Sequence, residues 1–414
     1  MNVFLVGGAV RDRLLGLEVK DRDWVVVGTS PKQMKAAGYR SVGKDFPVFL
    51  HPDSHEEYAL ARTERKTEVG YHGFEFDTAA DVTLEQDLER RDLTINAIAE
   101  DADGNLSDPF NGQQDLQDRL LRHVSPAFAE DPVRILRIAR FLARYHYLGF
   151  TIADETLTLM TDMVNAGEVD ALVPERVWQE TVKALGEQNP EQFILALREC
   201  GALKILFPEI DRLFGVPQVK VYHPEVDTGI HVMMVLQQCC LLTDDPVTRF
   251  AALTHDLGKG ITKPDILPHH YGHEEEGVSL VTELCDRLKI PNEYRQLAEL
   301  TCRYHTHIHR AFDMKPKTLL KVLMAADAYR RPERFKQFLQ ACKADSRGRP
   351  TFEDRVYLQA DFYVKLFEAT RAIPIKPILD KGFKGEEVKE ELRRRRLVAI
   401  AELRRENKGP EGVY

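Results

Sequence analysis

The stretch that most constrains this chain is its beginning, residues 2–27. Val3, Phe4, Leu5 and Val6 form an apolar run that stops at Gly7 and Gly8. Ala9, Val10, Arg11 and Asp12 open a short apolar helix that closes at Gly16, and Asp21, Arg22 and Asp23 then lead into Trp24 and three valines. The pattern predicts a strand, a tight turn, a helix and a second strand entered by two carboxylates. Side chains two apart on a strand share a face, so Asp21 and Asp23 stand side by side. Two such carboxylates repel each other unless a cation lies between them. A pair of Mg²⁺ ions answers this, because Mg²⁺ takes hard oxygens, usually from one or two carboxylates plus substrate phosphates. The Gly7–Gly8 turn lets the backbone approach a phosphate, with Arg11 nearby. A metal pair beside a phosphate cradle points to phosphoryl or nucleotidyl transfer. Alone, each piece is a polar strand edge or an ordinary turn; their conjunction carries the reading.

The length of 414 residues accommodates two to four domains. No apolar run approaches the roughly 20 residues of a membrane span, and no basic segment precedes a long apolar one at the N-terminus. The expectation is therefore a cytoplasmic protein without a membrane partner, a monomer or a weak homo-oligomer. The six cysteines (200, 239, 240, 285, 302 and 342) have no paired spacing and read as reduced, mostly buried thiols. A net charge of −9 argues against a generally sticky nucleic-acid binder and leaves room for local basic tracks.

After Val27, Pro31–Ala37 reads as a helix closed by Gly38, and the runs at Pro47–Leu50 and Tyr58–Ala61 read as strands of a small mixed sheet. Gly38 to Lys44 spells G-x-x-x-x-G-K, but Asp45 replaces the metal-binding hydroxyl and a helix precedes it, so a Walker A loop is rejected. Glu57 is a third carboxylate near the Asp pair, although an exposed edge-strand residue is the commoner reading. Residues 64–82 look like a mobile loop. Arg90 and Arg91 can clamp a triphosphate, and Asp92 can accept from a ribose hydroxyl. Further on, Arg134, Arg137, Arg140 and Arg144 recur every three or four residues and share one helix face behind Glu130 and Asp131. Four arginines on one face repel each other, and an anionic ligand explains them better than solubility does.

GGAVRDRLLG, the DRD pair, RRDLTINA, DPFNG, EDPVRILRIARF and LVPERVWQE occur here in one order. In that order the chain resembles class II tRNA nucleotidyltransferases, the CCA-adding enzymes, and among them those that carry an additional HD domain. Bacterial poly(A) polymerases share much of this head. The resemblance implies a polymerase-beta-type head that adds C, C and A to tRNA 3′ ends from CTP and ATP. It implies Mg²⁺ at Asp21 and Asp23 and contacts to the incoming nucleotide from Gly8, Arg11, Arg91, Arg137 and Arg140. It gives Asp131 and Arg134 the base edge, which is chemically apt, since acceptors and donors together mimic a pairing partner for C or A.

From about residue 145 the pattern is helical. Nine of the 14 histidines lie between His223 and His309. His255-Asp256 within THDLGKG, with His231 before it and Asp327 after it, follows the HD metal pattern. Such ligands suit a transition metal such as Ni²⁺, Mn²⁺ or Zn²⁺ better than Mg²⁺, and a metal there activates water. His273 and His305 are ligands of a second metal or contacts to a phosphate. His269, His270, His307 and His309 read as surface or capping residues. The resemblance implies phosphatase, 2′-nucleotidase and 2′,3′-cyclic phosphodiesterase activity.

The expected organisation is α+β: a small mixed-sheet head (1–140), an all-helical neck (141–225), an HD domain (228–329) and a helical tail (330–414). In the last segment Lys315, Lys317 and Lys321, just before it, and Arg393–Arg396 are candidates for following a tRNA backbone, or are solvated helix faces. Two alternatives stand beside CCA addition. One is a poly(A) polymerase; the other is an HD phosphohydrolase whose head only binds RNA.

Overall fold

The structure is a computed structural model and describes residues 1–42, 48–66, 74–77 and 81–407. Two compact units divide it, Met1–Leu206 and Phe207–Tyr414. The first begins as expected with β1 (Asn2–Val6), α1 (Gly8–Leu14) and β2 (Asp23–Val27). It continues with α2 (Pro31–Ala36), β3 (Arg40–Val42), β4 (Val48–Leu50), β5 (Glu57–Leu60), β6 (Thr63–Lys66) and β7 (Phe74–Asp77). Next come α3 (Leu84–Glu89), β8 (Ala99–Glu100), β9 (Leu106–Ser107) and α4 (Gly112–Asp118).

Seven strands form one sheet in the order β3-β4-β5-β2-β1-β8-β9. The β2–β5 pair is parallel and its neighbours are antiparallel, so the sheet is mixed. Alternation sends Val25 and Val6 to one face with Leu88 of α3, and Val26 and Leu60 to the other with Met34 of α2 and Phe49. The sheet is thus covered on both sides, while Asp23 at the start of β2 stays exposed, paired with Val6 at the end of β1.

Within the stretch read as a mobile loop, β6 and β7 pair antiparallel; residues 67–73 and 78–80 lie outside the described residues, as do Gly43, Lys44 and Asp45 of the rejected Walker-like stretch. β5 lies between β4 and β2, so Glu57 is not on an edge strand as the sequence suggested.

The rest of the first unit is nearly all helix: α5 (Val133–Tyr145), α6 (Asp154–Asn165), α7 (Pro174–Leu185), α8 (Pro190–Glu199) and α9 (Ala202–Leu206), with a two-residue parallel pair, β10 (Leu120–Leu121) and β11 (Thr151–Ile152). α5 packs on α7 and α8 and crosses position 140, the expected end of the head.

Among the described residues the second unit is helical, from α10 (Pro208–Asp211) and α11 (Thr228–Leu242) through α12 (Pro246–Thr254), α13 (His273–Arg287), α14 (Asn292–His309) and α15 (Pro316–Ala325). It ends with α16 (Pro332–Arg347), α17 (Leu358–Arg371), α18 (Lys376–Leu379) and α19 (Glu386–Glu406). α11 buries Val232, Met233, Val235, Leu236 and Cys239 and packs against α12 and α16. The six cysteines are free, and all but Cys240 are buried. No helix among the described residues is long and apolar enough to cross a membrane.

Candidate active sites

In the first unit, β1 delivers the chain to Gly7, whose φ is +67°. The left-handed backbone favours glycine, and a Cβ there would stand 2.9 Å from Arg91 Nη1 and displace that guanidinium. The turn opens a cleft of ≈ 600 Å³ lined by Gly7, Gly8, Asp23 and eight arginines, including all four of α5. Against the eight arginines stand four carboxylates, Asp23 included, so the cleft is basic within an acidic chain. Asp23 opens β2 in register with Glu57 of β5, whereas Asp21 is exposed two residues before the strand, outside the face the sequence placed both on. Parallel in-register residues point to the same face, so Glu57 stands next to Asp23. These hard carboxylate oxygens fit Mg²⁺. Asp21 and Glu57 are not among the residues lining the cleft itself.

Each arginine expected at the nucleotide is held by a specific acceptor. Arg11 is 3% exposed, donates to Asp12 at 2.9 Å and to Asn96, and lies over the rings of Phe141 and Tyr145. Arg91 donates to the Asn96 carbonyl and to Asp87. Arg137 grips Asp92 with Nε at 2.7 Å and Nη2 at 2.6 Å. Arg140 donates to Glu180 at 2.6 Å, and Arg144 to Asp12 at 2.9 Å. These partners hold in fixed directions a row of arginines that would otherwise repel one another.

Arg134 spends Nη1 on the Ala127 carbonyl and Nη2 on that of Arg90, at 3.0 and 2.7 Å. Asp131 receives both Nη groups of Arg176, at 3.2 and 2.7 Å. Arg176 lies on α7 inside LVPERVWQE, and sequence reasoning assigned it no role. Its only signal was that motif, since a contact 45 positions away leaves no periodic trace.

Asp92 is buried, which disfavours its charge, but Arg137, Asn96 and Arg134 outweigh burial and hold it far below the usual carboxylate range. A depressed folded-state pKa contributes stability that is present above the unfolded pKa and lost as pH falls through the folded one. Asp92→Asn is therefore expected to destabilise the first unit by about 2 kcal/mol at neutral pH. The gap to the unsubstituted chain should close as pH falls below about 4. Both tryptophans, Trp24 and Trp178, lie in this unit, so denaturation followed by their fluorescence reads it selectively.

In the second unit the end of α12 presents His255, and Asp256 follows it. His255 Nδ1 donates to the Ala252 carbonyl at 2.7 Å, which leaves Nε2 as an acceptor without a hydrogen-bond partner. That Nε2 lies 3.1 Å from Asp256 Oδ2 and 3.7 Å from Asp345 Oδ1. His231 Nδ1 donates to the Gly348 carbonyl and to Glu225, each at 3.0 Å, and its Nε2 is 3.2 Å from Asp345 Oδ1. Gly348 sits so close to α11 that a Cβ would stand 2.4 Å from Val235 Cγ2, and this proximity brings its carbonyl onto His231. His231, His255, Asp256 and Asp345 are each 3% exposed or less. Buried imidazole and carboxylate atoms facing one another fit a borderline divalent ion.

Burial opposes the charge of His255, but Asp256 and Asp345 raise its pKa. Burial likewise opposes the charge of Glu225, but hydrogen bonds from His223 and His231 bring it down to about 2. A buried carboxylate on the far nitrogen of a ligand histidine fixes its tautomer and orientation.

Two expectations are corrected. Asp327 lies outside this cluster: it follows the end of α15 with φ +52°, and its carboxylate pairs with Arg330 at 2.8 Å and Arg331 at 3.8 Å. The carboxylate that reaches His231 and His255 is Asp345 on α16, beyond the expected end of the HD domain at 329. His309 is not a surface residue. Its Nε2 meets Asp345 Oδ2 at 2.6 Å, and Tyr357 meets its Nδ1 at 2.6 Å, so one oxygen of Asp345 is tied back while the other faces the cluster. His270 bonds Thr262 and the Pro217 carbonyl, in keeping with a capping role, and His269 stacks on Tyr271. A cleft of ≈ 370 Å³ opens on the cluster, lined by Lys259, Arg349, Arg355, Tyr222, Tyr271 and Tyr357 among others. Lys259 Nζ is 2.7 Å from Asp256 Oδ2 and donates to Gln218.

The basic track at Arg393–Arg396 is partly neutralised. Arg394 and Arg395 pair with Glu391 at 2.7 and 3.0 Å, and Arg396 lies 3.7 Å over the Tyr329 ring.

Comparison with known proteins follows the same division. The Poly A polymerase head domain family matches residues 3–122. The probable RNA and SrmB-binding site of polymerase A matches 149–214, and the HD domain matches 228–331. The multifunctional CCA protein of Thioalkalivibrio sulfidiphilus is 61% identical over 98% of this chain and 99% of its own. That of Teredinibacter turnerae is 58% identical, covering 98% of both chains. Among solved structures, a CCA-adding enzyme in apo form II superimposes with a TM-score of 0.67 at 19% identity, over 97% of this chain and 88% of that one. The Thermotoga maritima CCA-adding enzyme complexed with tRNA gives 0.63 at 19% identity, over 100% and 89%. At such identities the structures speak for the fold alone; it is the curated relatives, matched end to end, that place this chain in the multifunctional CCA protein family.

Proposed function

We propose that this chain adds C, C and A to the 3′ end of tRNA from CTP and ATP, and that its HD domain is a metal-dependent phosphohydrolase. The observation that carries the first part is the convergence of Asp23 and the α5 arginines on one basic cleft. Asp21 and Asp23, with Glu57 adjacent, would hold Mg²⁺, which when bound activates the attacking hydroxyl and stabilises the leaving oxygens. Arg11, Arg91, Arg137 and Arg140 take the triphosphate beside Gly8, whose turn brings the backbone close. Asp131 and Arg134 read the base edge, with Arg176 fixing the carboxylate's direction. The tRNA 3′-hydroxyl attacks the α-phosphate in line and pyrophosphate leaves.

In the HD domain His231, His255, Asp256 and Asp345 would hold a transition ion such as Ni²⁺, which supplies an activated water for phosphate-ester hydrolysis. Lys259 and Arg349 offer positive charge to the substrate phosphate. Such an activity removes 2′,3′-cyclic phosphates and 2′-phosphates that block nucleotide addition. The working division of the chain is head 1–140, neck 141–225, HD domain 228–329 and tail 330–414, with the tail lending Asp345 to the HD site. The setting is cytoplasmic, and the chain acts as a monomer or weak homo-oligomer.

An extension assay tests the reading with tRNA lacking CCA, Mg²⁺, and CTP, ATP or both. Two C and one A, then arrest, are expected; a long A tail from ATP alone would select a poly(A) polymerase instead. In the same assay Arg134→Ala should reduce discrimination of CTP and ATP against GTP and UTP by about tenfold, one hydrogen-bonded pairing's worth. Unchanged selectivity would remove Arg134 from base reading.

A further inference from the structure

We propose that the cleft of the second unit takes the 3′-terminal nucleotide of an RNA chain, with Arg355 receiving the phosphodiester that joins this nucleotide to the preceding one and Tyr271 stacking on its base. The inference rests on the proposed phosphohydrolase reading of the HD domain.

Three cations that line the ≈ 370 Å³ cleft are withdrawn from solvent: Lys259, Arg349 and Arg355. Lys259 Nζ stands 2.7 Å from Asp256 Oδ2, and Arg349 Nη2 stands 3.6 Å from Asp345 Oδ1. Both are thus matched by carboxylates of the buried cluster. Arg355 is not. Among the described residues no carboxylate pairs with its guanidinium, which lies 5.0 Å from the Phe352 ring. Its chain neighbours Glu353 and Asp354 are exposed. Burial and the nearby Arg349 both weigh against its charge. A partly buried guanidinium beside a second one is costly until an anion joins them. The paired oxygens of a phosphodiester match the fork of an arginine.

The second observation is aromatic. Tyr222 and Tyr271 line the same cleft, yet they are 50% and 75% exposed, so core packing accounts for neither ring. Arg349 Nη1 donates to the Tyr222 carbonyl at 3.1 Å, which ties this aromatic side of the cleft to its arginines. Tyr271 is backed by His269, with 10° between the ring planes and 5.6 Å between centres. An exposed, supported ring of this kind is a platform for a base. The arginine cleft of the head has one aromatic lining residue, Phe141, whereas this cleft has three tyrosines and fewer arginines. Arg355 and Tyr222 lie outside residues 228–331, so these contacts are additions to the HD domain itself.

A nucleoside with phosphate on both sides meets these groups whether it is free or ends a chain. The volume decides for the chain end. Ligand pockets span roughly 300–1,000 Å³, and a cleft of ≈ 370 Å³ is filled by one nucleotide, while its exposed tyrosines leave a way out for the chain before it. That end is also the one the head is proposed to extend.

The full chain with added Ni²⁺, and without CTP or ATP, is assayed on adenosine 2′,3′-cyclic phosphate, on the same compound carrying a 5′-phosphate, and on a diadenylate ending in the cyclic phosphate. The kcat/KM of the diadenylate is expected to exceed that of the plain cyclic nucleotide by about tenfold, the effect of one charge-assisted contact. Arg355→Gln should bring this ratio to about one, and Arg355→Lys should keep most of it. Tyr271→Ala should lower the plain cyclic nucleotide by about tenfold relative to glycerol 1,2-cyclic phosphate, which has no base, and Tyr271→Phe should not. Each readout is a ratio within one protein, so a loss of folded enzyme cancels. A diadenylate ratio near one in the unsubstituted chain, or one that Arg355→Gln leaves unchanged, overturns the phosphodiester contact. A base-to-glycerol ratio unmoved by Tyr271→Ala overturns the stacking contact. An advantage confined to the 5′-phosphorylated mononucleotide overturns the RNA end. Hydrolysis of none of the substrates overturns the underlying phosphohydrolase reading instead.

Discussion

Replacing Asp23 with alanine is expected to lower nucleotide addition to tRNA by on the order of 10³-fold or more, with cyclic-phosphate hydrolysis unchanged within about twofold. Asp23 is the carboxylate at the open end of β2 that lines the arginine cleft. Its removal leaves the cleft arginines intact, so on the proposed reading CTP should still bind while incorporation fails. Asp23 is exposed and opens its strand, so the fold should tolerate the change. Asp21→Ala should act in the same direction if, as proposed, Asp21 shares the Mg²⁺ with Asp23. Parallel assays of single-nucleotide incorporation and of cyclic-phosphate release check this. Loss of both activities would mean that they share one site.

The reverse result is expected for Asp256→Ala. Cyclic-phosphate hydrolysis should fall by on the order of 10³-fold while CTP and ATP incorporation persists. Asp256 is 1% exposed, and its carboxylate faces His255, His273, His305 and Lys259. Burial works against its charge, but His255 and Lys259 hold it well below the usual carboxylate range, so it is ionised wherever the enzyme works. Removing a buried anion from among those groups also costs stability, about 3–5 kcal/mol. Asp256→Asn is therefore the companion variant: it keeps the shape and one acceptor but cannot carry the charge. Equal loss in both, with nucleotide addition retained, identifies charge at Asp256 as the requirement. A phosphohydrolase that survives Asp256→Asn would place its chemistry elsewhere in the chain.

The two sites were legible in the sequence to different depths. The head's parts lie close together in the chain: Gly7 to Asp23 spans a single β-α-β unit, and the α5 arginines repeat at helical spacing. Local geometry converts such spacing directly into a shared face, so strand, turn, helix and arginine row were readable from residue order. His255 and Asp256 were readable for the same reason, being adjacent at the end of one helix.

What the sequence by itself determined was therefore the local chemistry: a mixed-sheet head with a carboxylate pair, a basic helix and an HD turn, in that order. Only the tertiary structure decided which distant groups complete each site. Asp345 rather than Asp327 faces His231, because the end of α16 lies against α11 through Gly348, whereas the end of α15 turns Asp327 toward Arg330. Arg176 reaches Asp131, His309 and Tyr357 brace Asp345, and Glu225 braces His231. Those contacts join residues tens of positions apart, and helix and strand periodicity carry phase only within an element. The phase between elements is set by packing: by where glycines let backbones meet and by which buried charges must find partners.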